Sequence, residues 1–306
     1  MRDARVPERP EGFALLRLLT AGICNTDLEL QRGYYGFSGT PGHEFVAEVV
    51  AAGDRTLAGK RVVGEINLAC AECDWCQRGL GRHCPNRTVL GIVKHPGAFA
   101  EFLTLPERNL HVLPDDLPTE RAVFAEPLAA ASEILDQVSI PAGAPVAVLG
   151  DGKLGLLVAM VLATHGYRVH QFGHHAEKLR IAARAGVSTE CRRGVLPTAE
   201  YDWVIDATGN PEGLGAAAAM TRPRGTVILK STVHGMVPVD TAPIIVNELT
   251  LVGSRCGRME AALPLLASGK IPVEEMIADR VKLADAPMGF ARAAESGMLK
   301  VLLETA

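Results

Sequence analysis

Four cysteines lie close together in a stretch rich in turn-forming residues. Cys70, Cys73, Cys76 and Cys84 follow the pattern C-x2-C-x2-C-x7-C. Four thiolates at this spacing can surround one tetrahedral Zn²⁺, and a closed shell of four sulfur ligands leaves no position for a substrate. The spacing therefore predicts a structural zinc site, with four free thiols or an iron–sulfur cluster as the alternatives.

A second group of metal-ligand types lies nearer the N-terminus. Cys24 and the adjacent pair His43 and Glu44 offer a thiolate, an imidazole and a carboxylate. A catalytic Zn²⁺ needs a few such ligands and one position open to water or substrate. A lone cysteine is more often a small buried hydrophobe, and a lone histidine is more often a satisfied polar residue. These residues therefore indicate a catalytic metal only when other motifs support them.

A glycine-rich turn follows in the middle of the chain, directly after the apolar run Val146–Leu149 and before an apolar helical run. The glycines of a G-x-G-x-x-G turn between a strand and a helix let the backbone approach a pyrophosphate, whose charge lies at the helix N-terminus. The pattern predicts a dinucleotide site, and an ordinary glycine turn is the alternative. The candidate cofactor-binding residues of this turn are Gly150, Gly152, Lys153, Leu154 and Gly155.

The end of the next strand bears on the choice between NAD and NADP. An NAD site normally carries Asp or Glu there, about 20 residues beyond the glycines, to bind the ribose hydroxyls. This strand ends instead in Phe172-Gly173-His174-His175. A missing acid removes the repulsion that excludes a 2′-phosphate, and His174, His175, Lys178 or Arg180 can approach one, although the last two can equally lie on a solvated helix face. NADP is therefore favoured over NAD.

The elements around these motifs fall into two patterns. Short β-like runs separated by Gly, Pro and Cys-rich loops fill the first 125 residues, and from Pro127 onward helices and strands alternate. Such alternation predicts a parallel sheet wound by helices on both faces. Thr208 and Gly209 follow one of its strands, where an open α/β sheet binds its ligand, so they are candidates for the nicotinamide end. The predicted strands are Phe13–Leu19, Glu44–Ala51, Arg61–Ile66, Ala98–Leu105, Val146–Leu149, Arg168–Phe172, Trp203–Asp206 and Thr226–Leu229, and a closing run, Val301–Leu303, returns to the first domain.

The motifs occur in the order found in zinc-dependent medium-chain dehydrogenases, and the sequence resembles that family over almost its whole length. Gly97-Ala98-Phe99-Ala100-Glu101 and Glu126-Pro127-Leu128-Ala129 look like the branch of polyol, threonine and glucose dehydrogenases. The resemblance implies an α/β protein with two domains. Residues 1–125 and 270–306 would form an irregular, mostly-β GroES-like catalytic domain with the structural zinc lobe, and residues 126–269 a doubly wound, parallel-sheet Rossmann domain.

The resemblance also implies roles for individual residues. Cys24 and His43 would bind the catalytic zinc, and either Glu44 or Glu126 would complete its shell; Glu126 can also be read as a helix-start carboxylate before Pro127. Thr26 matches the hydroxyl that contacts the substrate oxygen and begins a proton relay. Glu29 stands where many relatives carry the histidine that ends the relay. Asp27 is assigned to a local turn or cap, without a chemical role.

Composition narrows the class of protein. A chain of 306 residues with 48% hydrophobic residues fits two globular domains, and a formal net charge of −4 gives no reason to expect a nucleic-acid or membrane partner. The charged start Met1–Glu11 lacks the apolar run of a signal peptide, so a cytoplasmic location is expected. In that reducing compartment Cys191 and Cys256, which match no ligand pattern, are expected to be structural thiols.

The function predicted from the sequence is hydride transfer between a secondary alcohol or polyol, or its carbonyl form, and NAD(P). Two zinc ions per chain, a small-molecule substrate and a homodimer or homotetramer are expected with it. Two alternatives remain open at this point: a zinc-independent quinone or enoyl reductase, and a nucleotide-binding scaffold or sensor that has lost catalysis. Relatives usually begin with an additional strand or two before the segment equivalent to Val6–Pro10.

Overall fold

The computed structural model describes residues 5–33, 36–192, 194–233 and 236–305. The strands are β1 (Phe13–Gly22), β2 (Glu44–Ala51), β3 (Arg61–Gly64), β4 (Asn67–Leu68), β5 (Thr88–Leu90), β6 (Lys94–His95), β7 (Phe102–Pro106), β8 (Leu110–Val112), β9 (Pro145–Leu149), β10 (Arg168–Gly173), β11 (Ser188–Cys191), β12 (Tyr201–Asp206), β13 (Thr221–Leu229), β14 (Thr250–Gly253), β15 (Ile277–Lys282) and β16 (Lys300–Glu304). The helices are α1 (Asn25–Gln31), α2 (Asp74–Gln77), α3 (Thr119–Ala122), α4 (Ala125–Gln137), α5 (Lys153–Thr164), α6 (Ala176–Arg184), α7 (Gly213–Met220), α8 (Ala242–Val246), α9 (Met259–Ala267) and α10 (Ala286–Ala293).

The chain divides into two compact units. The first takes in Met1–Glu126, Ala262–Ala267 and Ile277–Ala306, and the second takes in Pro127–Ala261 and Ser268–Met276. Among the helices in the described ranges, none is both long and apolar enough to cross a membrane.

The first unit is organised around the long strand β1. Its seven-stranded sheet has the order β15-β16-β1-β2-β3-β8, and β7 also pairs with β1. Ala14, Leu16 and Leu18 are buried at alternate positions of β1, as expected of a strand with one face in the core. Near its end, Gly22 pairs with Glu44 of β2 on one side and with Leu302 of β16 on the other. This register places the start of β2 and the C-terminal strand β16 on either side of the end of β1.

The predicted strand Ala98–Leu105 is wrong at its start, because β7 begins only at Phe102. The residues before Phe102 form a loop, and its backbone N–H groups donate hydrogen bonds to carbonyl oxygens of residues 40–42 and not to a neighbouring strand. The bonds run from Gly97 to Thr40, from Ala98 to Gly42 and from Phe99 to Pro41. A Cβ atom at Gly97 would lie 2.4 Å from the carbonyl oxygens of both Pro41 and Gly42. The loop around Gly97 therefore holds residues 40–42, directly before His43, by hydrogen bonds. Only glycine fits at position 97.

The second unit contains a six-stranded sheet with the order β11-β10-β9-β12-β13-β14. All of its strand pairs are parallel. The chain runs outward from β9 through β10 and β11, then crosses back to β12 and continues to β14. The neighbours β9 and β12 thus form a topological switch point, where the carboxyl ends of parallel strands leave a crevice for a ligand.

Helix α5 and the central strands carry the core of this unit. Gly155 to Leu162 of α5 are buried without interruption, which explains the continuous apolar run in the sequence. The central strands match the predicted ones within a few residues. Sequence patterns missed β11 and β14, which lie at the two edges of this sheet and consist of exposed or partly exposed residues.

Candidate metal and nucleotide sites

Three metal-ligand side chains meet in the first unit. Cys24 lies between β1 and α1, His43 directly precedes β2, and Glu44 is the first residue of β2. One potential ligand atom from each lies within 4.8 Å of the others. His43 and Glu44 are 3% and 1% exposed, whereas Cys24 is partly exposed. A thiolate, an imidazole and a carboxylate at such short range fit a zinc ion.

Asp27 caps the start of α1, as predicted, and it also connects the two segments that supply these ligands, which the prediction of a purely local role missed. The side chain is completely buried. Its Oδ2 accepts a hydrogen bond of 2.9 Å from the Cys24 N–H, and its Oδ1 accepts one of 3.2 Å from the Gly42 N–H. Oδ1 also lies 3.3 Å from Nδ1 of His43. A carboxylate on the second nitrogen of a ligating histidine fixes the orientation of its ring.

The environment of His43 favours a positive charge. Burial acts to lower the pKa of His43, but the carboxylate of Asp27 and the side chain of Cys24 outweigh it and hold the pKa well above its usual range. A proton or a divalent cation at the imidazole can supply this charge. The electrostatics of the pocket therefore agree with the ligand types.

A buried lysine accompanies the cluster, and sequence analysis missed it. Lys300, the first residue of β16, donates a short hydrogen bond from Nζ to Oε2 of Glu44. Nζ also lies 5.7 Å from the centre of the Phe124 ring. A Cβ atom at Gly22 would lie 2.5 Å from Oε2 of Glu44, so this glycine leaves room for the ion pair. In the sequence, Lys300 is only a lysine between Leu299 and the closing apolar run Val301–Leu303.

Neither Glu126 nor Glu29 is among the three residues whose ligand atoms lie within 4.8 Å of one another. Burial raises the pKa of Glu126 to about 7, with His43 acting against the shift and Glu44 adding to it. Thr26 and Glu29 lie on α1 and are partly exposed. The Glu29 carboxylate accepts a 2.8 Å hydrogen bond from Arg32. The residue at the predicted end of the relay is therefore engaged with a surface arginine.

The four cysteines of the lobe come together as their spacing predicts. The Sγ–Sγ distances are 3.5 Å for Cys73–Cys76 and for Cys84–Cys70, 3.7 Å for Cys73–Cys84 and 3.9 Å for Cys70–Cys76. Zn–S bonds of about 2.3 Å in a tetrahedron place the sulfur atoms about 3.8 Å apart. None of the seven cysteines forms a disulfide, and Cys191 is exposed. The lobe has the dimensions of a four-thiolate zinc site.

The glycine turn of the second unit forms a cradle after β9. Gly150 has a φ of +108°, and a Cβ atom there would lie 2.6 Å from the carbonyl oxygen of Ala207. A Cβ atom at Gly155 would lie 2.4 Å from the carbonyl oxygen of Gly150, whereas at Gly152 it would meet nothing within 4 Å. Gly150 and Gly155 thus permit close backbone packing, and Gly152 leaves open space at the N-terminus of α5. This geometry fits the pyrophosphate of a dinucleotide.

The other candidate cofactor residues lie around this cradle. Lys153 and Leu154 begin α5, and both are partly exposed. Thr208 follows β12, next to β9 in the sheet, and both its N–H (3.0 Å) and its hydroxyl (2.8 Å) donate to Oδ1 of Asp206. Gly209 has a φ of +65° with open space around it. The structure therefore brings the Thr208–Gly209 turn to the switch point.

The end of β10 differs from the sequence expectation in two respects. His174 and Arg180 are exposed and His175 is partly exposed, but Lys178 is buried and does not lie on a solvated helix face. An acidic side chain is also present at the end of β10, because the carboxylate of Asp151, from the glycine turn, contacts the residues that follow this strand. Its Oδ2 accepts hydrogen bonds of 2.7 Å from the N–H groups of both His174 and His175.

Comparison with known proteins decides the family. A family model described as "Alcohol dehydrogenase GroES-like domain" matches residues 10–115, and one described as "Zinc-binding dehydrogenase" matches residues 154–268. An L-threonine 3-dehydrogenase from Streptomyces avermitilis is 31% identical, with 99% of this chain and 95% of that protein covered. The chain belongs to the zinc-binding, medium-chain alcohol dehydrogenase family. It is an enzyme with a GroES-like and a Rossmann-type fold, and the family binds zinc and a nicotinamide cofactor.

Two further proteins place this dehydrogenase among its relatives. D-arabitol-phosphate dehydrogenase from Enterococcus avium is 29% identical over 99% of this chain and 93% of its own length. A crystal structure from Sinorhizobium meliloti 1021, described as a zinc-binding dehydrogenase bound to NADP, superimposes with a TM-score of 0.88 and 30% identity. The match covers 99% of this chain and 95% of that one.

Proposed function

We propose that this dehydrogenase transfers hydride between a secondary alcohol or polyol, or the corresponding carbonyl compound, and NAD(P). The observation that carries the proposal is the cluster of Cys24, His43 and Glu44. Two buried charged residues contact these ligands: Asp27 lies beside His43, and Lys300 is paired with Glu44. The names of the relatives, which include an arabitol-phosphate and a threonine dehydrogenase, favour a substrate with several polar groups.

Two zinc ions per chain belong to this proposal. Cys24 and His43 would hold the catalytic ion, with Glu44 or Glu126 completing the shell, and Cys70, Cys73, Cys76 and Cys84 would hold the structural one. When bound, the catalytic zinc supplies Lewis acidity that lowers the pKa of an alcohol. Glu44 is ion-paired with Lys300. Burial raises the pKa of Glu126 to about 7, which leaves this residue able to exchange a proton.

Proton movement would involve α1. Thr26 would accept a hydrogen bond from the substrate hydroxyl and pass the proton on, as its match to the family implies. Glu29 would stand at the far end of that path, where its carboxylate is bound to Arg32. The partial exposure of both residues supports proton release to solvent from this helix.

The remaining assignments extend the proposal to the rest of the chain. The contacts to the dinucleotide would come from Gly150, Gly152, Lys153, Leu154, Gly155, Gly173, His174, His175, Lys178, Thr208 and Gly209. Residues 1–125 and 270–306 would be the catalytic domain and 126–269 the nucleotide-binding domain. A cytoplasmic location and a homodimer or homotetramer stay predictions from the sequence. NADP rather than NAD is likewise the sequence prediction, which rests on the absence of an acid at Gly173.

The test is zinc content measured together with turnover. We expect two zinc ions per purified chain, one in Cys24→Ala and one in Cys84→Ser. Cys24→Ala should also lose activity towards a panel of polyols and secondary alcohols offered with NAD and with NADP. Cys191→Ala, which removes an exposed thiol, is the matched control and should keep both ions. Unchanged zinc in Cys24→Ala would overturn the proposed catalytic site.

A further inference from the structure

The side chain of Asp151 occupies the place of a side chain at position 173. A Cβ atom built on Gly173 would lie 2.6 Å from both Cβ and Oδ2 of Asp151. Gly173 is the last residue of β10, the strand end at which NAD-binding folds usually carry their ribose-binding acid. In this chain an acid is therefore present at that strand end in space, although it comes from the glycine turn in sequence.

The carboxylate of Asp151 is held firmly in this position. The residue is only 7% exposed. Its Oδ2 accepts the N–H groups of His174 and His175, and Nδ1 of His175 lies 3.0 Å away. Burial acts to raise the pKa of Asp151, but these hydrogen bonds outweigh it and hold the pKa below its usual range. Asp151 is therefore a fixed negative charge at neutral pH.

This charge has opposite consequences for the two cofactors. The N–H groups of His174 and His175 are consecutive backbone donors of the kind that bind a phosphate, and Asp151 already uses both. A 2′-phosphate brought to this strand end would meet a like charge there. A ribose hydroxyl would instead find an acceptor in Oδ1, whose contact is His175 Nδ1 at 3.2 Å, because a carboxylate has about four lone-pair sites.

We propose that Asp151 supplies the ribose acceptor that position 173 lacks, and that it selects NAD against NADP. This inference rests on the proposed dehydrogenase function and replaces the sequence prediction of NADP. His174 and His175 then contribute to the site chiefly through the backbone groups that position Asp151. The glycine cradle, with its open space at Gly152, accepts the part that both cofactors share.

Equilibrium binding to the full-length, zinc-loaded protein tests the inference without an activity assay. Calorimetric titration should give a dissociation constant for NAD⁺ about tenfold or more below that for NADP⁺. Asp151→Asn preserves the shape and removes the charge, so the preference should shift towards NADP⁺ by about tenfold or more. Asp202→Asn changes an exposed acid of the same unit, paired with Arg222, and should leave the ratio unchanged.

A measurement on the wild type guards against a misfolded variant. 5′-AMP should bind more tightly than 2′,5′-ADP, which differs from it only by the 2′-phosphate. Tighter binding of NADP⁺ or 2′,5′-ADP, or an unchanged ratio in a folded Asp151→Asn protein, would overturn the inference and leave the dehydrogenase function standing. If neither dinucleotide binds to the wild type, the proposed function itself fails.

Discussion

The ammonium group of Lys300 lies against the carboxylate of Glu44, although 256 positions separate the two residues in sequence. Each side chain is 1% exposed. Lys300→Met leaves a buried carboxylate without its partner, so the free energy of unfolding should fall by about 3–5 kcal/mol in urea denaturation. Lys300→Arg should restore much of it. The control is Lys282→Met, at an exposed position of β15.

A double variant sharpens this prediction. Replacing both members of a buried ion pair with neutral groups removes the unpaired charge. Glu44→Gln combined with Lys300→Met should therefore be more stable than Lys300→Met alone. If Lys300→Met alone is as stable as the wild type, the ion pair between Lys300 and Glu44 contributes little to the free energy of unfolding.

Asp27 is expected to act on zinc affinity through His43. Asp27→Asn keeps the size of the side chain but removes the negative charge that lies 3.3 Å from the imidazole. Loss of such a partner typically weakens metal binding by about 10–100-fold. Competition with a chromophoric chelator measures the affinity of the catalytic site. The control is Asp54→Asn, in an exposed turn where the Asp54 carboxylate accepts a hydrogen bond from the Thr56 N–H. Equal zinc affinity in the two variants would contradict the predicted role of Asp27.

Alanine substitutions at two glycines of the cradle are expected to have different effects, one on dinucleotide binding and the other on the stability of the fold. Gly152 has a φ of −74°, and an added methyl group meets no neighbour, so Gly152→Ala should change the unfolding free energy by less than about 0.5 kcal/mol. It should nevertheless weaken dinucleotide binding, because the methyl group lies where the pyrophosphate approaches the helix. Titration calorimetry and thermal denaturation of the same sample measure both effects.

Gly150→Ala provides the contrast. With a φ of +108° and the Ala207 oxygen 2.6 Å from the added atom, it should destabilise the protein by about 1–3 kcal/mol. Unchanged dinucleotide affinity in Gly152→Ala would show that the pyrophosphate does not approach this turn.

Tyr201 is expected to make stability fall in alkaline solution. Burial, followed by the charges of Glu200 and Glu190, raises the pKa of Tyr201 from 10.0 to about 12. The folded protein therefore holds the phenolic proton more tightly than the unfolded chain. This contribution to stability is fully present below pH 10 and is lost as the pH rises to about 12.

The matched variant is Tyr201→Phe, which keeps the ring and loses the hydroxyl that lies 2.8 Å from Nδ1 of His170. Its unfolding free energy should depend less steeply on pH in that window than the free energy of the wild type. Parallel curves would show that another group causes the alkaline loss.

Much of the fold was predictable because its patterns are local. The alternation of apolar residues in β1 and the continuous apolar runs of β9 and α5 reflect burial on one face or on all sides. The edge strands β11 and β14 lack such a pattern, since their residues are largely exposed or partly exposed. The segment at Ala98 has the composition of a strand but is held as a loop by hydrogen bonds to residues 40–42.

The candidate ligands were also found from sequence, whereas the residues around them were not. The four lobe cysteines stand out by type and spacing, whereas Cys24 and His43 were identified through the order of motifs that resembles the family. Asp27 and Lys300 carry no motif of their own. A lysine in an apolar run and an aspartate near a cysteine have many ordinary explanations, and only burial against a ligand distinguishes these two.

The sequence by itself determined which ligand types are available, their order along the chain, and the strand–turn–helix unit that can bind a dinucleotide. Tertiary structure alone decided how charges pair: Lys300 with Glu44, Asp27 with His43, and Asp151 with the backbone of His174 and His175. The reason is that a ligand motif is written in neighbouring residues. The partner of a buried charge is instead chosen by strand register and loop packing, which join positions far apart in the chain.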